Sequence, residues 1–307
     1  MGCSPIDTTD KTVGKIYAHF VQSADVARHP GALGSVKTHP PKAHAMSDSH
    51  PPAVLFERRP DHVALVTLNR PAARNAVNGD VARALDAIIK QTEADDDIWA
   101  VVLTGCGSQA FCAGADLKEV SAGRSKNLWT EGGGFAGFVF ADRSKPWIAA
   151  VNGPALAGGT EIVLACDLVV AVPGASFGLP EVKRALTAAA GGLFRLPRVL
   201  PRQIALEMIL TGEPISAERA NQLGMVNRLV PAERLLDEAM ALAARITVNA
   251  PVAVRESLRV ARRANDLPDA ELRAMTEQSS LRVRASEDFK EGPLAFIEKR
   301  APKWTGR

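Results

Sequence analysis

The apolar and polar positions divide this chain into three stretches: a leader without periodicity, a middle that alternates short apolar runs with helical patterns, and a helical end. Residues 1–50 show no regular apolar spacing and are rich in Pro, Gly, Ser and His. Such a stretch offers too little apolar surface to offset the entropy of ordering it, so a disordered extension is expected there. Val63–Leu68 is an apolar run of strand length, broken by Asn69-Arg70-Pro71. From about Asp80 the residues Val81, Leu85, Ile88 and Ile89 share one helical face, and Asp95-Asp96-Asp97 ends that pattern. Trp99–Leu103 is a second buried strand, so the chain begins β-α-β and points to an α/β protein. Further strands are expected at Trp147–Val151 and Leu168–Val172, with a helix over Thr160–Cys166 between them. Ser216 reads as a helix start. From Pro231 onward the pattern is helical: Leu235, Leu236, Ala239 and Leu242 share a face, then come Pro251–Asn265 and Pro268 to about Arg284. A basic, aromatic segment, Phe289–Arg300, follows.

Composition narrows the chemistry. The 307 residues are 46% hydrophobic and 23% charged, which suits one large globular domain or one domain plus an appendage. The 37 basic and 34 acidic residues are well mixed, so no nucleic-acid partner is required; the mild excess suits a phosphorylated small ligand. No apolar run spans a membrane, so no membrane partner is expected. Cys3, Cys106, Cys112 and Cys166 form no CxxC pair and read as reduced thiols in a cytoplasmic setting. Five of six histidines lie in the leader, leaving only His62 for the rest of the chain. A histidine metal cluster is therefore excluded from the main body, and acid/base work there falls to Asp, Glu, Lys or Cys. In the leader, MGCSPI carries Ile6 where myristoylation calls for Ser or Thr, and no signal-peptide core is visible. Met46 opens a plausible start, so the leader is expected to be dispensable.

Two stretches expose backbone. In WIAAVNGPALAGGTE, Trp147–Glu161, a strand hands over to a helix through Ala157-Gly158-Gly159. Free N–H groups at a helix start favour negative charge, and Glu161 lies one turn in. A tightly packed strand–helix turn would show the same residues. In FCAGADLKEV, Phe111–Val120, small residues around Gly114 offer a second such place. Between them lie Gly132-Gly133-Gly134 and Phe135, Phe138 and Phe140, which could wall a pocket or fill a core. Glu181, behind Pro180, is expected at the start of another helix. Two donors aimed at one oxygen form an oxyanion hole, and a thioester carbonyl is its natural guest because its enolate puts charge on that oxygen. Two carboxylates beside it could activate water and deliver a proton to carbon.

Several ordered segments carry a resemblance from about Ala53 to Arg307: LNRPAARNAV, FCAGADLKEV, IAAVNGPALAGGTEIVLACD, SFGLPEVK, LTG, GMVNRLVP and EGPLAFIEKR. Together they resemble the crotonase (enoyl-CoA hydratase/isomerase) superfamily, and the FGLPE segment and the chain's ending resemble carnitinyl-CoA dehydratases and related bacterial enoyl-CoA hydratases. The resemblance implies an α/β fold of the crotonase-type ββα spiral with a C-terminal helical region. Residues 51–250 would form the spiral core and 251–307 a helical oligomerisation region. It implies an oxyanion hole from the amides of Ala115 and Gly158 and catalytic glutamates at Glu161 and Glu181; isomerase members typically keep only the one matching Glu181. Ala113, Gly114, Asp116, Leu117 and Lys118 would border CoA, and Phe296 and Lys299 match tail positions that help bind CoA, often across a subunit boundary. The implied activity is hydration of a 2-enoyl-CoA thioester, with no metal and no redox cofactor, CoA being part of the substrate. The implied assembly is a homotrimer or a dimer of trimers. Carnitinyl-CoA dehydratase, enoyl-CoA isomerase, and non-catalytic acyl-CoA or RNA binding are the alternatives. Trp129, Glu131, Phe135 and Phe138 could form the aromatic and acidic pocket that a trimethylammonium group favours. Ala157 and Ala188–Gly192 depart from the usual family wording, which bears on acyl-chain specificity more than on chemistry.

Overall fold

The computed structural model describes residues 51–307, so the leader expected to be disordered lies outside the described residues. In chain order the elements are β1 (Val54–Arg59), β2 (Val63–Leu68), α1 (Gly79–Ala94), β3 (Ala100–Gly105), α2 (Leu117–Ser121), β4 (Trp129–Thr130), β5 (Gly134–Phe135), β6 (Trp147–Val151), β7 (Ala155–Leu156), α3 (Gly158–Ala165), β8 (Leu168–Ala171), β9 (Ser176–Gly178), α4 (Gly192–Val199), α5 (Arg202–Thr211), β10 (Ile215–Ser216), α6 (Ala217–Gln222), β11 (Arg228–Leu229), α7 (Leu235–Thr247), α8 (Pro251–Ala261), α9 (Asp269–Ala285) and α10 (Asp288–Ile297). The apolar runs became the centre of a six-stranded sheet, ordered β1-β2-β3-β6-β8-β11. β1 and β2 pair antiparallel, and every later pair in that sheet is parallel. Both faces of β3 and β6 are buried, which is why these strands read as continuous apolar runs and not as alternation.

α1 buries the predicted face, Val81, Leu85, Ile88 and Ile89, and Asn78 caps its start by accepting from the Val81 amide at 3.0 Å. The buried ammonium of Lys145 donates to the carbonyls of Thr92 and Asp95 at its other end, satisfying groups a helix terminus leaves open. Ser216 caps α6 as expected.

After β6 the chain alternates between two sheets. β6 and β8 lie in the large sheet, while β7 and β9 pair in a small sheet of order β10-β9-β7. Isolated pairing of Cys112 with Ala155 extends that small layer. Four segments remote in sequence thus share one row: Cys112 opposite Ala155, Ala155 opposite Phe177, and Phe177 opposite Ile215.

Several expectations change. β1 was not expected, because only its first residue is fully buried and its apolar signal is short. The helix expected from Pro180 is a single 3₁₀ turn, Pro180–Arg184, ended by Ala185 at a left-handed φ of 55°. The helices α4 and α5 that follow were not expected: Pro197 lies inside α4, and α5 has no pronounced apolar face. The aromatic segment divides: Phe135 and Phe138 are buried and Phe140 is exposed.

Candidate active site

The register of the small layer explains how the expected site residues meet. Three residues past Cys112 is Ala115, three past Ala155 is Gly158, and four past Phe177 is Glu181. All three segments run the same way, so these positions emerge together beyond the strand ends, where open α/β sheets place ligands. Two bonds extend the layer there: Leu156 N–H donates to Cys112 O at 3.0 Å and Ala157 N–H to Gly178 O at 2.9 Å. The Thr160 hydroxyl lies 2.6 Å from Ala155 O and 2.9 Å from Gly178 O and accepts from Gly178 N–H at 3.0 Å, pinning the start of α3 to both strands.

The two backbone-exposing stretches touch. A Cβ added at Gly114 would lie 3.0 Å from the Gly158 amide nitrogen and 2.9 Å from the Ala157 Cβ. Gly114 itself has φ +86°, which suits glycine. Its carbonyl accepts from Val77 N–H at 2.8 Å, and Asp116 N–H donates to Val77 O at 2.8 Å. Among the described residues, the Ala115 and Gly158 amides between these anchors have no acceptor. Gly158 opens α3, where no intrahelical partner exists. Phe135 covers this place: a Cβ on Gly158 would meet its Cε1 at 2.3 Å. Phe135 therefore belongs to the wall of the site as well as to the core.

Glu161 is 3% exposed, and its Oε1 accepts from Gly192 N–H at 2.9 Å. Burial pushes its carboxyl up to about 7, against the pull of the Gly192 and Ala190 amides and Arg195, and with help from the charge of Glu181. Glu181 is half-buried on its 3₁₀ turn. Burial raises it too, and its Oε2 is shielded and has no hydrogen-bond partner among the described residues. Two carboxyls near each other and both displaced toward protonation are suited to hold one proton between them at neutral pH.

The other predicted positions differ in availability. Ala113 and Ala115 are half-buried, Gly114 is buried, and Leu117 and Lys118 are exposed. The Asp116 carboxylate is committed: it takes Arg70 Nη2 at 2.9 Å and caps α2 through Lys118 N–H at 3.0 Å. Those contacts outweigh its partial burial and hold its carboxyl below the usual range. Phe296 and Lys299 lie on and just after α10; Phe296 is 86% exposed and nothing of the described chain brings it to the glutamates. His62 sits in the β1–β2 turn, stacked on Trp99 at 3.7 Å, at the opposite end of the sheet from the strand ends that carry the site. The small-residue run Ala188–Gly192, which suits backbone approach, is the loop whose Gly192 receives Glu161, while Arg195, whose charge acts on Glu161, gave no signal along the chain.

Comparisons with known proteins give the chain a family. The family model described as "Enoyl-CoA hydratase/isomerase" matches residues 58–307. Enoyl-CoA hydratase EchA19 of Mycobacterium tuberculosis is 39% identical over 261 residues, covering 83% of this chain and 97% of that protein. Carnitinyl-CoA dehydratase of Proteus mirabilis is 38% identical over 247 residues, covering 79% and 94%. Among solved structures, enoyl-CoA hydratase EchA1 of Mycobacterium marinum superposes with a TM-score of 0.80 at 46% identity, covering 84% of this chain and all of that one. The chain belongs to the enoyl-CoA hydratase/isomerase family, the crotonase superfamily.

Proposed function

We propose that this protein is a hydro-lyase of the enoyl-CoA hydratase type, adding water reversibly and syn to a 2-enoyl-CoA to give the 3-hydroxyacyl-CoA. The observation that carries the reading is the pair of displaced glutamates, Glu161 and Glu181, beside two acceptor-free amides, Ala115 and Gly158. The thioester oxygen sits between those amides. Water held by ionised Glu161 attacks the β carbon, and Glu161 takes its proton. The C=C electrons move to the thioester oxygen as an enolate, which the two N–H groups stabilise. Protonated Glu181 then delivers its proton to the α carbon, and the pair ends with its single proton exchanged between sides. Ala113–Lys118 border the CoA, with no metal or redox cofactor taking part. Phe296 and Lys299 reach the CoA of a neighbouring subunit in a homotrimer or dimer of trimers. The setting is the cytoplasm and the pathway class fatty-acid or other acyl-CoA metabolism; no helix of the described residues is long and apolar enough to cross a membrane.

A second reading shares the chemistry and changes the guest: dehydration of carnitinyl-CoA, favoured by the Proteus mirabilis relative. The test is hydration of crotonyl-CoA, followed as loss of the conjugated-enoyl absorbance, with crotonobetainyl-CoA in parallel. Glu161→Gln and Glu181→Gln should each lower kcat by roughly 10²–10⁴. Turnover of crotonyl-CoA by both variants at the wild-type rate would exclude the two-carboxylate mechanism.

A further inference from the structure

Among the groups around Glu161, one charged side chain lies outside the chemistry proposed above. Arg195 sits on α4, three residues past Gly192, whose amide binds Glu161. Its guanidinium folds back over the start of its own helix. Nη1 donates to Ala190 O at 3.4 Å, and a Cβ added at Gly191 would lie 2.5 Å from that nitrogen. Gly191 has φ +106°, so both its backbone and the close guanidinium call for glycine. Nη2 donates to Val139 O at 2.6 Å. Val139 belongs to the turn after β5: its amide donates to Phe135 O at 3.2 Å, and the Phe135 ring covers Gly158. One planar fork therefore joins the loop that seats Glu161 to the turn that carries the cover of the Gly158 amide. Phe140 and Phe194 flank the guanidinium, each ring centre 5.4 Å away, and their cation–π contacts favour this placement.

The charge of this fork has no ion-pair partner among the described residues. The groups that face it are Arg198 on its own helix, Cys166 after α3, Asp266 after α8, Arg143 from the 139–144 segment, and Glu161. Asp266 is taken by Arg198 at 2.8 Å. Burial pushes the Cys166 thiol up to about 12, so it is neutral at pH 7. Glu161 is the anion left for Arg195 to act on. The other charged group facing Glu161 is Glu181, which works against ionisation of its neighbour. Burial lowers the Arg195 guanidinium, yet such a group stays charged throughout the working range.

Resting on the hydratase reading, we propose that Arg195 is a positioning residue for Glu161: it clamps the Ala190–Gly192 loop where Gly192 N–H meets the carboxylate, and its positive charge favours the ionised form that takes the proton of water. It acts through the loop and through its field, not by contact with the reacting atoms. A base buried this deeply thereby stays available near neutral pH.

The experiment is the pH profile of kcat/KM for crotonyl-CoA, which rises as Glu161 ionises, in wild type, Arg195→Met and Arg195→Lys between about pH 6 and 9. Arg195→Met removes the charge and the fork together. Its rising limb should move to higher pH by about one unit, a deficit of about tenfold at the acid end that shrinks as pH rises. Arg195→Lys keeps the charge and cannot span both carbonyls. Its limb should stay with that of the wild type while the plateau falls, by roughly tenfold and in kcat more than KM, because the base is misplaced and the CoA contacts are untouched. A limb in Arg195→Met that coincides with the wild-type limb would overturn the inference and leave the hydratase reading standing. Equal shifts in Arg195→Met and Arg195→Lys would overturn it too, since charge would then not be the cause. Where Arg195→Met turns over too slowly to profile, thermal melts at pH 8 carry the test. Glu161→Gln should stabilise the Arg195→Met protein more than it stabilises the wild type, because a carboxyl displaced further upward loses more stability on ionising. An equal or smaller gain would overturn the inference. No turnover of crotonyl-CoA or crotonobetainyl-CoA by the wild type at any pH would remove the hydratase reading itself, and the inference with it.

Discussion

At the residue scale, two positions carry strain or charge that a side chain of this kind ordinarily avoids. Ala157, at the start of α3, has φ 52° and ψ −125°, a conformation that favours glycine. Such a position costs on the order of 1–3 kcal/mol and persists where the surroundings impose it; here the Gly178 and Cys112 bonds on either side of β7 do so. Ala157→Gly should therefore raise the unfolding free energy in urea melts by about 1 kcal/mol after the greater unfolded-state freedom of glycine is subtracted. Glu161 carries the charge. Its folded carboxyl, pushed up from 4.5 to about 7, favours the protonated form, so its stability contribution is full below about pH 4.5 and is lost as pH rises through 7. Glu161→Gln keeps an acceptor for Gly192 N–H and removes the buried charge. It should be more stable than the wild type at pH 8, by at most about 3 kcal/mol, with the difference vanishing toward pH 4.5. Thermal melts across that range check the sign. In activity the same group must be ionised to take a proton, so kcat/KM for crotonyl-CoA should rise through about pH 7.

At the element scale, the site depends on the small layer more than on any helix. Thr160 is fully buried and satisfies the Gly178 N–H while sharing two carbonyls. Thr160→Val keeps the volume and leaves that donor unpaired, which should cost about 1–3 kcal/mol in denaturant melts and lower kcat, because Gly158 and Glu161 ride on the same start of α3. Gly158→Val should be worse for activity: its side chain would collide with Phe135 and tilt the amide that faces the thioester oxygen. The legible elements were those with strong local signals: β2, β3, β6, β8 and α1 are apolar runs or a clear stripe. β7, β9 and β10 are two or three residues long, and their pairing partners lie 20 or more residues away. Such strands exist only because a neighbour supplies their hydrogen bonds, so no periodicity announces them. Glu181 shows the same limit. Its Pro180 start was readable, but the turn closes at Ala185 in a left-handed conformation that nothing local in the sequence announces.

At the scale of the whole molecule, the C-terminal helix exposes Leu294, Phe296 and Ile297, with Phe296 at 86% and Ile297 at 75%. Side chains this apolar and this bare on one short helix are what an assembly surface presents. Native mass spectrometry at micromolar concentration should give a trimer or hexamer, and Phe296→Ser should shift it toward smaller species while raising KM for acyl-CoA. A wild-type monomer under those conditions would leave Phe296 without the role proposed for it. The chain's end is held in place by its own contacts: Trp304 Nε1 donates to Val248 O at 2.8 Å and Arg255 to Gly306 O at 2.9 Å.

By itself the amino-acid sequence determined the family, the α/β order of the strong elements, the restriction of histidine outside the leader to His62, and which residues to examine, because motifs and apolar periodicity are local properties of the chain. Only the tertiary structure decided that Gly114 approaches the Gly158 amide, that the Ala190–Gly192 loop seats Glu161, that Glu161 is displaced toward neutral pH, and that Arg195 joins this loop to Val139. Each of those depends on the register between segments far apart in the chain and on the exclusion of water around them. Burial and pairing are set by the neighbours a residue acquires on folding.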